Sequence, residues 1–378
     1  MINMIHVSLC TKTKQWLKPS LLALAFCTLL PSAALAQIGG TGWSSQSISY
    51  NVQWPTNAQE DQRFWHTNNI YHCLTYSNDG AFEVGNTTLP RTEMRFNPDF
   101  TSGEIQYQST LQCPANENIY CIMQDHTGDS QSGQYGPVAI MFIWQSRDGG
   151  SVWNGYTGQE LATDMGGKWF QLNVDHNVST HRITAWINGT VVVAEPDNGA
   201  TDYYFKNGVY EQNISTPSHQ MDTFVTNILE WTTTSSPSFS GTWELKNAAS
   251  GLVLNNQGSL TNGSSITQWR EEANANLEWT FKATSNGYYQ INSVKSGLDA
   301  VVQSASTANG AGIIQWSFGS SGDDQWLPVE NSNGTYTFFN LNSGKVLEDP
   351  NSSTNTATQM DQWTITGGAN QQWYLISE

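Results

Sequence analysis

The stretch that decides the interpretation of this chain is Tyr204-Phe205-Lys206-Asn207-Gly208-Val209-Tyr210-Glu211-Gln212. Its pattern predicts a β-strand, and side chains along a strand alternate between two faces. One face then carries two phenols, a cation, an amide and a glycine that leaves room beside them: Tyr204, Lys206, Gly208, Tyr210 and Gln212. A core strand would be apolar there, so this face suits either a groove that binds an anionic sugar polymer or a solvated outer surface.

Residues 1–36 have the composition of an export signal. Its basic region consists of Lys12, Lys14 and Lys18. An apolar run over residues 21–30 follows, which is too short to span a membrane, and residues 34–36 form a small-residue cleavage site. We therefore expect a mature chain that starts at Gln37 and is secreted, extracellular or periplasmic. An uncleaved anchor is the alternative.

The chain is strongly acidic. Removing residues 1–36, with three lysines and no acids, lowers the formal net charge from −17 to about −20. A surface of this charge repels nucleic acid and anionic membranes, so neither is expected as a partner. Seven cations lie between residues 37 and 235, and among them are Arg91, Arg95 and Lys206. A few focused cations can still bind a carboxylate inside an acidic protein.

Three cysteines follow the predicted export signal. Cys113 and Cys121 flank a turn-like stretch over residues 114–118, which predicts a disulfide in an exported protein. Cys73 is then left over, and we expect it to be buried as a small hydrophobe. No Cys or His spacing in the sequence is typical of a metal site.

The composition predicts an all-β chain with two domains. Short runs of β-branched and aromatic residues alternate with Asn, Gly, Ser and Thr, and no long window has helical periodicity. Residues 232–240 have the composition of a linker. They divide a front domain over residues 37–231 from a back domain over residues 241–378.

The back domain repeats itself with a period of 47 residues. The period is seen in three Gln-Trp pairs and in a second set of tryptophans: Trp269, Trp316 and Trp363, then Trp279, Trp326 and Trp373. A regular threefold period of β units indicates a repeat architecture. Residues 241–378 resemble the ricin-type β-trefoil family, and the resemblance implies carbohydrate binding. An appendage with a structural role alone is the alternative.

The trefoil resemblance implies different roles for the repeated positions. The second set of tryptophans is expected to pack the centre of the trefoil. Sugar contacts are expected from a polar residue early in each repeat, at Asn255 and Glu348. The equivalent residue of the middle repeat is Val301, which cannot hydrogen-bond a sugar, although Asp299 lies close by.

Two further segments of the front domain place polar residues on one strand face. In residues 91–95, alternation puts Arg91, Glu93 and Arg95 together and points Met94 toward a core. Two arginines around a glutamate can grip carboxylates bidentately, unless they form a mere surface charge ladder.

The other segment is Ile122-Met123-Gln124-Asp125-His126. Gln124 and His126 share one face by alternation, and Asp125 is expected to face away from them. A lone histidine in an all-β chain usually has a structural role, so the significance of His126 depends on its neighbours.

Together the three segments resemble polysaccharide lyase family 7, the alginate lyases. The family patterns are Arg-(Ser/Thr)-Glu-(Leu/Val)-Arg, Gln-(Ile/Val)-His and Tyr-Phe-Lys-Ala-Gly-x-Tyr-x-Gln, and all three occur here in that order. The resemblance covers residues 49–231 and implies a β-jelly roll, a concanavalin-like sandwich, with the motif strands lining one concave groove. Asn207 and Asp125 depart from the patterns. The position of Asp125 is associated in the family with preference between uronates, so the preferred uronate stays open.

The resemblance implies a lyase that cleaves a 1,4-linked polyuronate, such as alginate, by β-elimination and leaves 4,5-unsaturated uronate ends. Tyr210 would protonate the leaving O4, and His126 would act as the base or assist it. Arg91 and Gln124 would neutralise the carboxylate beside the C5 proton. The implied substrate-binding residues are Arg95, Lys206, Gln212, Glu93 and Tyr204. The scheme requires no metal or cofactor, and we expect a monomer that acts on an anionic polysaccharide.

Three alternatives stay open at this point. A related jelly-roll family cleaves glucuronan by the same chemistry. A glycoside hydrolase would need two suitably placed carboxylates, whereas Glu93 lies between two arginines that keep it ionised. A non-catalytic lectin with two sugar-binding domains would have no use for His126 and Tyr210 in these motifs.

Overall fold

The computed structural model describes residues 42–117, 119–128, 138–212, 219–233, 238–284 and 287–378. The predicted export signal lies outside these ranges. In the described part of the chain, no helix is long and apolar enough to cross a membrane. The helices found there are short 3₁₀ turns at Glu60–Gln62, Gln303–Ala305, Pro350–Ser352 and Ala369–Gln371.

The front part of the chain is built from strands, as the sequence predicts. They are β1 (Ser44–Ser45), β2 (Ser49–Gln53), β3 (Phe64–Thr67), β4 (Ile70–Tyr76), β5 (Arg91–Asn97), β6 (Glu104–Gln112), β7 (Tyr120–Thr127), β8 (Val138–Gln145), β9 (Ser151–Asn154), β10 (Glu160–Ala162), β11 (Trp169–Asn177), β12 (Arg182–Ile187), β13 (Thr190–Pro196), β14 (Tyr203–Glu211) and β15 (Gln220–Thr233).

These strands form two antiparallel sheets that pack face to face as a jelly-roll sandwich. One sheet has the order β13-β12-β11-β6-β15-β4-β3, with β1 paired to β15. The other has the order β10-β9-β8-β7-β14-β5-β2 and is called the groove sheet below. The core between the sheets is apolar and strongly aromatic, with Tyr107, Phe142, Trp144, Phe170 and Phe205 among its buried residues.

Alternation separates the two faces of β14 as the sequence predicts. Phe205 and Val209 lie in the core between the sheets. Lys206 and Tyr210 point from the opposite face of the same strand, since successive side chains of a strand project to opposite sides. The same rule places Met94 of β5 in the core and its neighbour Glu93 on the groove side.

The back part of the chain continues with short strands around a core of its own. They are β16 (Trp243–Asn247), β17 (Val253–Asn255), β18 (Thr267–Trp269), β19 (Glu278–Ala283), β20 (Tyr289–Ser293), β21 (Asp299–Val302), β22 (Ala311–Trp316), β23 (Trp326–Glu330), β24 (Tyr336–Asn340), β25 (Val346–Glu348), β26 (Asp361–Trp363) and β27 (Trp373–Ser377).

The threefold period of the sequence is also the symmetry of the packing in this trefoil. The three central tryptophans are fully buried, as predicted. Each indole donates to a backbone carbonyl at an equivalent position of its repeat: Trp279 to Leu254 at 3.1 Å, Trp326 to Ala300 at 2.8 Å and Trp373 to Leu347 at 3.2 Å. Burying an indole is favourable when its N–H finds a partner, and each repeat meets this condition in the same way.

The repeated glutamines join one repeat to the next. Each accepts from the serine of the Ser-Gly turn in its own repeat: Ser250 to Gln268 at 2.8 Å, Ser296 to Gln315 at 2.9 Å and Ser343 to Gln362 at 2.6 Å. The amide nitrogen then donates to carbonyls of a different repeat, as Gln315 does to Ser259 and Thr261. Buried polar groups need such partners, which explains why the glutamine recurs beside an outward tryptophan.

The two parts meet at the β12–β13 hairpin. Trp186 donates through Nε1 to the carbonyl of Glu330 at 2.8 Å, and the Val191 amide donates to Asn331 Oδ1 at 2.9 Å. Trp186 and Val191 share a buried apolar cluster with trefoil residues such as Leu327. The trefoil is therefore packed against the sandwich through apolar and polar contacts.

The segment predicted as a linker contributes to both parts at its ends. Thr232 and Thr233 are the last residues of β15. Phe239 is buried in the trefoil core, where its ring lies 5.1 Å from that of Phe281. Residues 234–237 lie outside the described ranges.

The predicted disulfide between Cys113 and Cys121 is wrong, because both residues are buried free thiols. Cys113 lies in the core with Tyr120. Cys121 follows Tyr120 on the same strand and therefore points to the opposite face. Its thiol donates to the carbonyl of Met123 at 3.2 Å. Cys73 is buried, as predicted.

We predict that Trp186→Ala lowers the free energy of unfolding by about 3 kcal/mol, because it removes a buried indole and leaves the Glu330 carbonyl without its donor. Calorimetry measures the change. Trp65→Ala is the matched control, since this indole is 37% exposed on β3 and should cost less than about 1 kcal/mol. Equal effects of the two substitutions would contradict the role given to Trp186.

Candidate active site

The three motif segments lie side by side in the middle of the groove sheet, as β7, β14 and β5. Lys206 is paired with Arg95 on one side and with Gln124 on the other. Tyr210 is paired with Arg91, and Tyr204 with His126. Directly paired residues of neighbouring strands project to the same face, so the sheet brings the sequence motifs together.

Glu93 is the centre of this constellation. Its side chain is 1% exposed, and its carboxylate is reached by a donor from each of the three strands. Gln124 Nε2 donates to Oε1 at 2.5 Å, while Arg91 Nη1 and Lys206 Nζ lie 3.4 and 3.7 Å from Oε2. Substrate binding by Glu93 stays a prediction; in the structure its carboxylate holds the donors around it.

Gly208 lies where a larger residue would clash with β5. Its φ of 148° is one that L side chains rarely adopt. A Cβ at this position would lie 2.3 Å from the Thr92 carbonyl and 2.9 Å from the Cα of Glu93. The glycine therefore allows β5 to approach β14 closely, and this approach brings Glu93 within reach of Lys206.

Tyr210 lies half-buried against the Arg91 guanidinium. The Cζ atom of Arg91 is 3.9 Å from the centre of the Tyr210 ring and 4.8 Å from that of Phe82. Burial raises the pKa of the Tyr210 phenol, although the Arg91 charge opposes the shift. At neutral pH the phenol is protonated, and it can donate a proton.

The surroundings of His126 favour the neutral form of its ring. Its Nδ1 lies 2.8 Å from the Thr127 carbonyl, which can only accept, so Nδ1 carries the hydrogen. Burial and the nearby Lys206 charge lower the pKa of His126 to about 4. The ring is neutral at neutral pH, and Nε2 is left with a lone pair. The Tyr204 ring stacks on the imidazole at a centroid distance of 5.0 Å.

Lys206 lies at the floor of the groove with its side chain 2% exposed. Its Nζ donates to Gln53 Oε1 on the edge strand β2 at 3.0 Å. Burial lowers the pKa of this ammonium group to about 8, with Glu93 opposing the shift. The side chain is a cation at neutral pH that loses its proton within reach of ordinary alkaline conditions.

Arg95 and Gln212 are bound to other groups of the protein. Arg95 donates to Asp99 Oδ2 at 2.7 Å and to the Phe96 carbonyl at 2.9 Å, and its Cζ lies 4.0 Å from the Tyr204 ring centre. Gln212 follows the end of β14, and its amide donates to the Tyr210 carbonyl at 3.4 Å. Arg95 thereby holds the Tyr204 ring that stacks on His126.

Asp125 faces away from the groove, as alternation predicts, and forms a buried pair with a residue of the other sheet. Its Oδ2 lies 2.6 Å from His176 Nδ1, while His176 Nε2 lies 3.0 Å from Asp197 Oδ2. Burial disfavours the charged ring, but the two carboxylates raise the pKa of His176. Asp125, which departs from the family motif, therefore has a partner on the side of the strand that faces away from the groove.

The polar positions of the trefoil repeats differ in their surroundings. Glu348 lines a cavity of about 250 Å³ together with Asp361, Trp363 and Asn370. The Glu348 carboxylate accepts from Gln371 Nε2 at 2.6 Å. Asn255 is buried and accepts from Asn276 at 2.8 Å.

Several residues of the groove were not found by sequence reasoning. Gln53 receives Lys206, Phe82 covers Arg91, and Asp99 holds Arg95. Asp99 follows Arg95 by four positions and was visible as a nearby opposite charge. Gln53 lies far from Lys206 in sequence, so only the pairing of β2 with β5 reveals it. Among the described residues, no group of three or more His, Cys, Asp or Glu is arranged to hold a metal ion.

Comparison with known proteins agrees with the motifs. The family model described as alginate lyase matches residues 44–233, and the one described as ricin-type β-trefoil lectin domain-like matches residues 229–316 and 322–378. The fold and the site define a polysaccharide lyase with a lectin-like domain. This chain belongs to the alginate lyase family.

A curated relative and three solved structures are similar to parts of the chain. A citrate-binding protein of Hevea brasiliensis is 30% identical over 190 residues, which are 49% of this chain and 72% of that protein. An alginate lyase from Pseudomonas aeruginosa is 19% identical over 47% of this chain and 96% of its own, with a TM-score of 0.40. A family 7 alginate lyase in complex with its substrate (GGMG) is 13% identical over 52% and 95%, with a TM-score of 0.40. The designed protein ThreeFoil is 31% identical over 37% and 100%, with a TM-score of 0.36.

We predict a bell-shaped dependence of kcat/KM on pH with limbs near 4 and 8, since this ratio reports groups of the free enzyme. As pH falls through about 4, His126 gains a proton and can no longer accept one. As pH rises through about 8, Lys206 loses the charge that attracts carboxylates.

Lys206→Arg is the variant that checks the alkaline limb, because a guanidinium keeps its proton throughout this range. Its limb should move above pH 10 even if turnover is slower. An acid limb near 6.5, the ordinary pKa of histidine, would contradict the buried, neutral state given to His126.

Proposed function

We propose that this chain cleaves 1,4-linked polyuronate, with alginate as the substrate, by β-elimination to give 4,5-unsaturated uronate ends. The observation that carries the proposal is that His126 and Tyr210 lie on one face of the groove sheet, in surroundings that favour opposite protonation states. His126 offers a lone pair on Nε2, while Tyr210 keeps its proton. Two groups whose environments set opposite protonation states form a base and an acid.

The charges of the groove suit a uronate carboxylate. Arg91 and Lys206 are balanced by Glu93 alone in this cluster, which leaves one net positive charge at the floor. A substrate carboxylate bound there would be neutralised by Arg91 and by the remaining amide hydrogen of Gln124. This neutralisation makes the adjacent C5 proton more acidic and stabilises the enolate-like intermediate.

The elimination then needs one proton removed and one delivered. His126 Nε2 takes the C5 proton, and the electrons of the C5–H bond form the C4=C5 double bond. The C4–O4 bond breaks, and Tyr210 gives its proton to the leaving O4. Exchange with solvent afterwards restores a neutral His126 and a protonated Tyr210. For one uronate epimer, Tyr210 would serve as both base and acid because the proton and the leaving group lie on the same side.

The trefoil is proposed to bind polysaccharide through its third repeat. The cavity beside Glu348 combines carboxylates and an amide with the ring of Trp363, which is 40% exposed. Sugars bind where an aromatic face meets convergent polar groups. Val301 takes the place of a polar residue in the second repeat, and we propose that this repeat does not bind.

We also propose that the protein is exported, on the basis of the pattern in residues 1–36.

A second candidate function is carboxylate binding without turnover. It is favoured by the relative from Hevea brasiliensis, which is named for citrate, a small molecule with three carboxylates. The same cations that would hold a uronate could hold such an anion. The two functions differ in whether the groove also moves protons, and a product assay separates them.

We predict that the mature protein releases products that absorb in the ultraviolet from the new C4=C5 bond when it is given alginate. Polymannuronate, polyguluronate and glucuronan, tested in parallel, identify the preferred uronate.

Tyr210→Phe should lower kcat by more than about a hundredfold with polymer affinity unchanged, because it removes the proton donor and keeps the ring on Arg91.

The assay has two outcomes that would contradict the proposal. New reducing ends without ultraviolet absorbance would indicate a hydrolase. Absence of any product from all four polymers, together with saturable binding of citrate, would indicate the non-catalytic function.

We predict that Trp363→Ala weakens binding to insoluble alginate roughly tenfold, because it removes the exposed aromatic face of the third repeat. Trp316→Ala is the matched control, since Trp316 occupies the equivalent position in the repeat that carries Val301 and is 47% exposed. A pull-down with alginate gel measures both. The proposal fails if the two variants bind equally well.

A further inference from the structure

A row of paired residues leads from the proposed acid across the groove sheet to β9. Tyr210 is paired with Cys121 of β7, and Cys121 with Ile143 of β8. Ile143 is paired in turn with Trp153 of β9. The residues next to this row, including Trp144 and Val152, are buried in the core between the sheets. Trp153 therefore projects to the same face as Tyr210.

Trp153 and Arg147 form a stacked platform on this face. The Cζ atom of Arg147 lies 3.7 Å from the indole centre, and Trp153 Nε1 donates to Ser151 Oγ at 2.7 Å. The Arg147 side chain is 56% exposed. Arg147 Nε donates to Asp148 Oδ2 at 3.2 Å. Among the described residues, the terminal nitrogens of Arg147 make no hydrogen bond. A guanidinium that stacks over an indole keeps its terminal nitrogens available for a carboxylate.

The spacing of the sheet places this platform within reach of a bound polymer. Three strand intervals separate β14 from β9, which is about 14 Å at the usual spacing between strands. A polysaccharide that crosses the strands of the groove would extend over Trp153 several sugars away from the bond beside Tyr210. The next residue of the row is Glu160 on the edge strand β10, which is paired with Trp153 and whose negative charge acts on Arg147.

We propose that Arg147 and Trp153 form a distal subsite that binds one uronate residue of the polymer. The indole contacts a sugar ring, and the terminal nitrogens of Arg147 donate a bidentate pair of hydrogen bonds to its carboxylate. Asp148 competes for part of the charge, so the subsite adds affinity to a long chain and is too weak to bind a single sugar. This inference rests on the proposed function of the groove as a polyuronate site.

The test compares substrates of different length. Trp153→Ala and Arg147→Gln should each raise KM for polymeric alginate about tenfold and leave kcat within about twofold. With a trisaccharide, which is too short to reach from Tyr210 to β9, both variants should match the wild type. Trp65→Ala is the matched control, because it removes an indole that lies on the other sheet. It should change the KM of neither substrate. Equal losses on both substrates, or no loss on the polymer, would overturn the subsite.

A binding measurement keeps this outcome separate from that of the proposed function. In the Tyr210→Phe background, affinity electrophoresis in alginate gels reports the subsite without turnover, and Trp153→Ala should migrate faster than its parent. Failure of the wild type to form unsaturated products would reject the lyase proposal and leave this comparison intact. A gel of neutral β-glucan that retards the parent as strongly as alginate does, with both retardations lost equally in Trp153→Ala, would overturn the assignment of the subsite to uronate.

Discussion

The burial of the Glu93 carboxylate is the interaction on which the groove depends. A carboxylate out of water is costly unless it is paired and hydrogen-bonded, and here the partners come from three neighbouring strands. Arg91, Gln124 and Lys206 all reach it, and the close approach of β5 to β14 at Gly208 makes this possible. The donors proposed for the substrate are thus oriented before any substrate binds, so little reorganisation is needed when charge develops.

The same cluster sets the protonation of its neighbours. The groove is buried enough for charges to act strongly on one another. Burial and the Lys206 charge favour the neutral form of His126, while burial keeps the proton on Tyr210 despite the Arg91 charge. A base and an acid therefore coexist at neutral pH in a chain whose net charge is strongly negative. The acidity of the whole chain says little about this local field.

The sequence indicated the residues that face the groove but few of their contacts. Alternation placed Lys206 and Tyr210 opposite Phe205 and Val209 correctly because burial on one side of a sheet fixes the register. The threefold period likewise predicted the central tryptophans, since symmetry repeats the same packing. The disulfide prediction failed because Cys113 lies in the core between the sheets, whereas Cys121 points to the opposite face of its strand. The pairing of Asp125 with His176 and the docking of Trp186 join distant segments, and no local pattern encodes them.

The proposed chemistry depends on His126 being a neutral base with its hydrogen on Nδ1. Nitrogen-15 NMR of the histidine ring, with His126→Gln for assignment, tests this state directly at pH 7. We expect one protonated nitrogen, Nδ1, and one unprotonated nitrogen, Nε2, with no change until the pH approaches 4. A doubly protonated ring at pH 6, or a hydrogen on Nε2, would contradict it.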